Sequence, residues 1–148
     1  MAARPILLIE DDRDDETLVR RALSSSQVPN TVIVARDGAE ALDYLFALGD
    51  FKDRDLAEQP ALILLDISLP KIDGFEVLRQ IRADPLTRRL PVVVLTSSRR
   101  QTDVLSGYDA GANAYVVKPV DVGRFVEATQ ELGRFWARLN ELPAQPAS

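Results

Sequence analysis

The sequence predicts an α/β protein built on a parallel sheet. Two observations carry this. Five strand-length apolar runs recur along the chain, "PILLI" (5–9), "TVIVA" (31–35), "ALILL" (61–65), "PVVVL" (91–95) and "AYVV" (114–117). None alternates with polar residues, which suits strands covered on both faces. Between them lie amphipathic stretches of helical period, so strand and helix alternate five times, the pattern of a parallel sheet with crossover helices.

Each helix has its own signal. In "DETLVRRALSSS", Leu18, Val19, Ala22 and Leu23 share one face. "DGAEALDYLFAL" opens on Asp37 with Glu40 three residues on, a capping-box pattern, and is expected to bury Ala41, Leu42, Leu45 and Leu48 at helical spacing. "DGFEVLRQIRADP" carries Phe75, Val77, Leu78 and Ile81 and stops before Pro85. "SRRQTDVLSGYDAG" ends on Gly111, a helix C-terminal glycine. "DVGRFVEATQELGRFWARLNEL" is the last and longest helix. Residues 1–142 read as a single domain and 143–148 as a flexible tail.

The composition narrows the function. Apolar residues are 46% and charged residues 28%, ordinary for a globular domain. A net charge of −5 speaks against a broad nucleic-acid-binding face. With no Cys there is no disulfide framework and no thiolate metal site; with no His, the commonest metal ligand and neutral-pH base are missing. No apolar run is long enough for a membrane span, and "MAARP" lacks a secretion signal's apolar region, so a cytoplasmic protein is expected.

The chemistry gathers where the apolar runs end. The first leads into Glu10, Asp11 and Asp12, the third into Asp66, the fourth into Thr96, Ser97 and Ser98, and the fifth into Lys118. In an open parallel sheet all strand carboxyl ends lie on one edge, where ligands bind. Each residue alone reads as a cap, a turn or a surface charge; their coincidence at matching strand ends is the signal. Clustered carboxylates without His or Cys suit a hard cation such as Mg²⁺. An Asp can act as a nucleophile toward phosphorus, with a lysine and a hydroxyl stabilising the phosphoryl oxygens. Asp12 reads equally as a site-edge acid or a helix cap. Asp14, Asp15 and Glu16 fall in a helix's first turn, where the dipole favours negative charge.

The segments "LLIEDD", "LLDISLPKIDGFEVLRQIR", "VVLTSS" and "YVVKPV" together, over residues 5 to 135, resemble the receiver domain of two-component response regulators. The resemblance implies a five-stranded parallel sheet of order 2-1-3-4-5, with two helices on one face and three on the other. It implies phosphoryl transfer to Asp66 from a phosphohistidine on a histidine kinase or phosphotransfer protein. It implies a Mg²⁺ site of Glu10 (largely through water), Asp11, Asp66 and the Ser68 carbonyl. The switch hydroxyl falls on Thr96, the lysine on Lys118, a cis bond on Lys118–Pro119, and the aromatic that turns inward on Tyr115. Leu69 and Ile72 stand where the family commonly has Met. No output domain follows, so the chain resembles a stand-alone receiver; its long third connection and extended last helix resemble the group that partners bacterial phytochromes.

The last helix overhangs the sheet, since about 20 helical residues span about 30 Å against about 17–20 Å for a strand. Phe135, Trp136 and Leu139 on the overhang are expected to form a homodimer interface. Two other functions use the same groups. A haloacid-dehalogenase-type phosphatase wants a second Asp two residues after the nucleophile, where this chain has Ser68, and a cap domain for which there is no room. A receiver used as a phosphorylation-independent binding module would not need the intact set of site residues. A nucleotide-binding domain lacks its glycine-rich loop after the first strand.

Overall fold

A computed structural model describes residues 3–144. The strands are β1 (Ile6–Ile9), β2 (Val32–Ala35), β3 (Leu62–Leu65), β4 (Val92–Thr96) and β5 (Ala114–Val117). They pair in parallel in the order β2-β1-β3-β4-β5, as expected. The helices are α1 (Arg13–Ser25), α2 (Gly38–Phe46), α3 (Gly74–Ala83), α4 (Gln101–Ala110) and α5 (Val122–Leu132). A 3₁₀ turn, Gly49–Phe51, opens the long connection before β3.

The sheet buries two cores. Alternate residues of one strand face opposite sides. Leu7, Ile9, Ile63, Leu65 and Val92 pack with α2 and α3, joined at the margin by Ala110 of α4. Ile6, Leu8, Leu62, Leu64, Val93 and Leu95 pack with α1 and α5. The three central strands are wholly buried, which is why their sequences are unbroken apolar runs. The edge strands β2 and β5 are mostly half-buried.

Aspartates start four of the five helices. The side chain of Asp12 accepts from the Asp14 and Asp15 N–H groups, Asp37 from Glu40, Asp73 from Glu76 and Asp121 from Arg124. Each such cap contributes about 1 kcal/mol. Asp12 is therefore a cap. Gly111 ends α4 in the left-handed conformation at φ 110°, as its sequence position predicts.

Two expectations for the helices are corrected. Leu48 is exposed, because α2 stops at Phe46 and Ala47 turns left-handed at φ 54°. Tyr44 fills the buried position instead, with Phe51 edge-on at 5.3 Å and the Arg54 guanidinium 3.8 Å over its ring. The final helix does not continue as one α-helix: residues Gly133–Leu139 are π-helical. A Cβ at Gly133 would lie 2.5 Å from Leu23 Cδ2, so a larger residue here would have to displace that buried side chain of α1. Trp136 packs on the α1–α5 core, while Phe135 and Leu139 are exposed at 49% and 75%. Trp136 is thus half-buried against this chain's own core. Residues 145–148 of the expected tail lie outside the described residues.

One glycine fixes the loop that carries Asp66. A Cβ at Gly74 would sit 2.5 Å from Ile67 Cα and 2.7 Å from the Asp66 carbonyl oxygen. Both obstacles are backbone, so neither can rotate away. Gly74→Ala is expected to lower stability by about 1–3 kcal/mol, read as a reduced urea midpoint at unchanged slope.

Candidate phosphoryl-acceptor and metal site

Strand register assembles the site. Ile9 pairs with Leu65, so the next residues, Glu10 and Asp66, emerge side by side. The Asp66 N–H donates to the Ile9 carbonyl at 3.1 Å, and the Glu10 N–H to the Ala35 carbonyl at 2.9 Å. Thr96 pairs with Val117, and the Lys118 N–H donates to the Thr96 carbonyl at 2.7 Å. Residues 56, 86 and 108 positions apart in sequence thereby share one sheet edge; all of Glu10, Asp66, Thr96 and Lys118 are buried.

Asp66 is held at both oxygens. Its Oδ1 accepts from Thr96 Oγ1 at 3.0 Å and from the Ser68 N–H at 3.0 Å. Its Oδ2 accepts from Lys118 Nζ at 3.0 Å. The same ammonium donates to Glu10 Oε1 at 2.6 Å and to Asp15 Oδ2 at 2.7 Å. Its three N–H groups are all used, so it is satisfied without water. Asp11 is exposed beside this pair, and carboxylate oxygens of Glu10, Asp11 and Asp66 lie within 4.8 Å of one another.

The charges do not balance: several carboxylates crowd one ammonium. Burial pushes the Glu10 carboxyl up to about 7 against the pull of Lys118, and the nearby Asp66 charge adds to the rise. Burial disfavours the Lys118 ammonium, but the hydrogen bonds it donates to Asp15 and Glu10 outweigh that desolvation and hold it strongly protonated. A pocket of hard oxygen donors with surplus negative charge fits a divalent cation.

Thr96 and Tyr115 are linked through one loop. While Thr96 bonds Asp66, the Tyr115 hydroxyl donates to the Ser98 carbonyl at 2.9 Å, and Ser98 Oγ donates to Asp103 Oδ2 at 2.5 Å. The Tyr115 ring lies over Gly107, where a Cβ would meet its Cδ2 at 3.0 Å.

The expected cis bond is corrected. Among the described residues no peptide bond is cis, so Lys118–Pro119 is trans, the form an X–Pro bond favours by about 0.5–1 kcal/mol. The bond to the Thr96 carbonyl and the three carboxylates aim the lysine without it. The dipole reading of the α1 acids also needs revision. Asp15 reaches Lys118, and the buried Glu16 pairs with Arg36 and, at 3.1 Å, with Arg20. The sequence placed these acids on a helix's first turn but gave no sign of which face meets β5. Arg82 was likewise missed. Its guanidinium donates to the carbonyls of Leu90, Gly111 and Arg88 and to Asn113 Oδ1, tying α3 to the turns that enter β4 and β5.

Comparison with known proteins agrees with this arrangement. Residues 6–130 match the response regulator receiver domain. Response regulator Rcp1 of Synechocystis sp. is 38% identical over 139 residues, covering 94% of this chain and 92% of that protein. The crystal structure of its Mn²⁺-bound form superposes with a TM-score of 0.88, covering 95% of this chain and 99% of that one. The phosphorylated cyanobacterial phytochrome response regulator RcpA is 39% identical with a TM-score of 0.89, covering 96% and 99%. The bacteriophytochrome response regulator RtBRR is 54% identical with a TM-score of 0.76, covering 95% and 84%.

A proton on Glu10 competes with a cation for the same oxygens. Below about pH 7 binding must expel that proton, so affinity falls with acidity by up to about tenfold per pH unit; above it the dependence flattens. Calorimetric titration of Mn²⁺ from pH 5.5 to 8.5 checks this, and Glu10→Gln should flatten the lower limb.

Proposed function

We propose a phosphoryl-accepting signalling role for this chain, which belongs to the response regulator receiver family. Residues 1–142 act as one receiver domain. Asp66 takes the phosphoryl group from a phosphohistidine on a sensor histidine kinase or phosphotransfer protein. A carboxylate oxygen of Asp66 forms the O–P bond as the N–P bond breaks and the imidazole leaves with the electron pair. The observation that carries this reading is the convergence of Thr96, Lys118 and the Ser68 N–H on one buried carboxylate beside Glu10 and Asp11.

The residues divide the work. Mg²⁺ held by Glu10, Asp11, Asp66 and the Ser68 carbonyl would offset charge on the transferred group and on the site's own carboxylates. Lys118 stays protonated and turns an N–H from Asp66 to a phosphoryl oxygen. Thr96 transfers its hydroxyl bond from Asp66 Oδ1 to the phosphoryl group, which adds about −1.5 to −2 charges. That pull on the end of β4 reaches Ser98, whose carbonyl holds Tyr115. Phosphorylation thereby biases the face made by α4, β5 and α5 between two arrangements. The protein works on its own aspartate as a signalling protein, in the cytoplasm; among the described residues no helix is long and apolar enough to cross a membrane.

The phytochrome link rests on RcpA and RtBRR, which are phytochrome and bacteriophytochrome response regulators. A bacterial phytochrome kinase is the donor we infer. The exposed Phe135 and Leu139, at the end of a helix anchored by Trp136, support a homodimer through this end of the molecule.

Three outcomes follow. Intact-mass spectrometry with Mg²⁺ and a small phosphoryl donor should show one phosphoryl group gained by the parent and none by Asp66→Asn; equal gain by both would refute the assignment. Thr96→Ala should still be phosphorylated but lose the change in hydrogen exchange across α4 and β5. Sedimentation should give a dimer that Phe135→Asp with Leu139→Asp reduces to a monomer, and a monomeric parent at high concentration, phosphorylated or not, would remove the interface.

A further inference from the structure

One contact in the pocket has no part in the scheme above. Asp15 Oδ2 accepts from Lys118 Nζ at 2.7 Å, closer than the Asp66 carboxylate at 3.0 Å. Asp15 is not among the three carboxylates that could share a cation. It sits on the first turn of α1, its own N–H fixed by the Asp12 side chain at 3.0 Å. Its side chain is 27% exposed, against 7% for Lys118, so it approaches the ammonium from the pocket's outer side. A favourable charge at a helix start does not require this reach, since Asp14 meets the same dipole with no bond to the lysine.

We propose that Asp15 is a positioning residue that acts through Lys118, holding its ammonium on the α1 side of the pocket and so restraining its engagement with the phosphoryl group. The inference rests on Asp66 being the phosphoryl acceptor. All three ammonium N–H groups are committed to carboxylates. A phosphoryl oxygen can gain one only when a carboxylate gives it up. Asp66 gives up part of its hold on becoming an acyl phosphate, but the transfer leaves the Asp15 bond to the ammonium in place.

Removing the Asp15 charge has two consequences of opposite sign. The ammonium falls back on Glu10 and Asp66, the carboxylates that a cation needs, and the pocket loses one negative charge; cation affinity drops. One ammonium N–H is released to meet an anionic phosphoryl donor, so capture at saturating cation becomes faster. A change that merely loosened α1 would depress both quantities.

The test uses the full chain with acetyl phosphate, followed by intact mass at saturating Mg²⁺. In that reaction an Asp66 oxygen forms a bond to phosphorus as the bond from phosphorus to the acyl oxygen breaks and acetate leaves with the electron pair. Asp15→Asn is expected to gain phosphate about three- to tenfold faster than the parent and to bind Mn²⁺ weaker by a similar factor. Asp15→Glu, which keeps the charge, should return both readouts toward the parent. In a Lys118→Ala background the same Asp15→Asn change should alter the rate by less than about twofold. A rate unchanged or slowed in Asp15→Asn, or an equal gain in the absence of Lys118, overturns the inference while leaving the acceptor reading intact. A parent that takes no phosphate overturns the acceptor reading and this inference with it.

Discussion

Everything at the functional edge depends on one ammonium group surrounded by carboxylates. Lys118 is 7% exposed at its side chain and bonds Glu10, Asp15 and Asp66 at 2.6–3.0 Å. Taking such charges out of water costs several kcal/mol per ion, which mutual attraction repays only when the geometry is good. Here one cation faces more anions than it can neutralise. Burial raises the Glu10 carboxyl and the Asp66 charge adds to the rise, while the grouped oxygens of Glu10, Asp11 and Asp66 suit a second cation. The protein does not settle this imbalance internally, and that is what leaves the pocket ready for a metal and responsive to added phosphate.

The sheet makes the imbalance possible by being rigid. Ile6, Leu7, Ile9 and Leu62–Leu65 have no measurable exposure, so β1 and β3 cannot slide to separate Glu10 from Asp66. A one-residue slip would turn every side chain to the opposite core, exchanging two sets of packed partners at once. Hydrophobic burial of about 1.5–3 kcal/mol per large side chain thus holds together charges that would otherwise move apart. The Cβ-free approach of Gly74 to the Asp66–Ile67 backbone serves the same end on the loop side.

The other half of the molecule is built more loosely. Lys118 follows an edge strand whose residues are all half-buried, and α4 beside it buries Gly107 alone. The Tyr115 ring rests over that glycine, and its hydroxyl is fixed by one bond to Ser98. A rigid acceptor strand next to a weakly packed edge is a suitable arrangement for turning a local charge change into a change of surface.

The sequence by itself determined the strand and helix order, the Asp37 cap, the Gly111 terminus and the strand-end residues of the site. These depend on local period and on residues next to each other in the chain, or on the rule that parallel strands end on one edge. Side-chain direction across long separations was not legible. "DDRDDE" leaves Asp12 open between a cap and a site-edge acid, and nothing in it says that Asp15 meets Lys118 103 positions away or that Glu16 meets Arg36. Those pairings follow from the rotation of α1 against β5 and β2, which the two cores fix. The exposure of Leu48, the π-helical turn at Gly133 and the seating of Trp136 were likewise decided by tertiary contacts. Local propensity differs there by only about a kcal/mol between alternatives, and packing outweighs it.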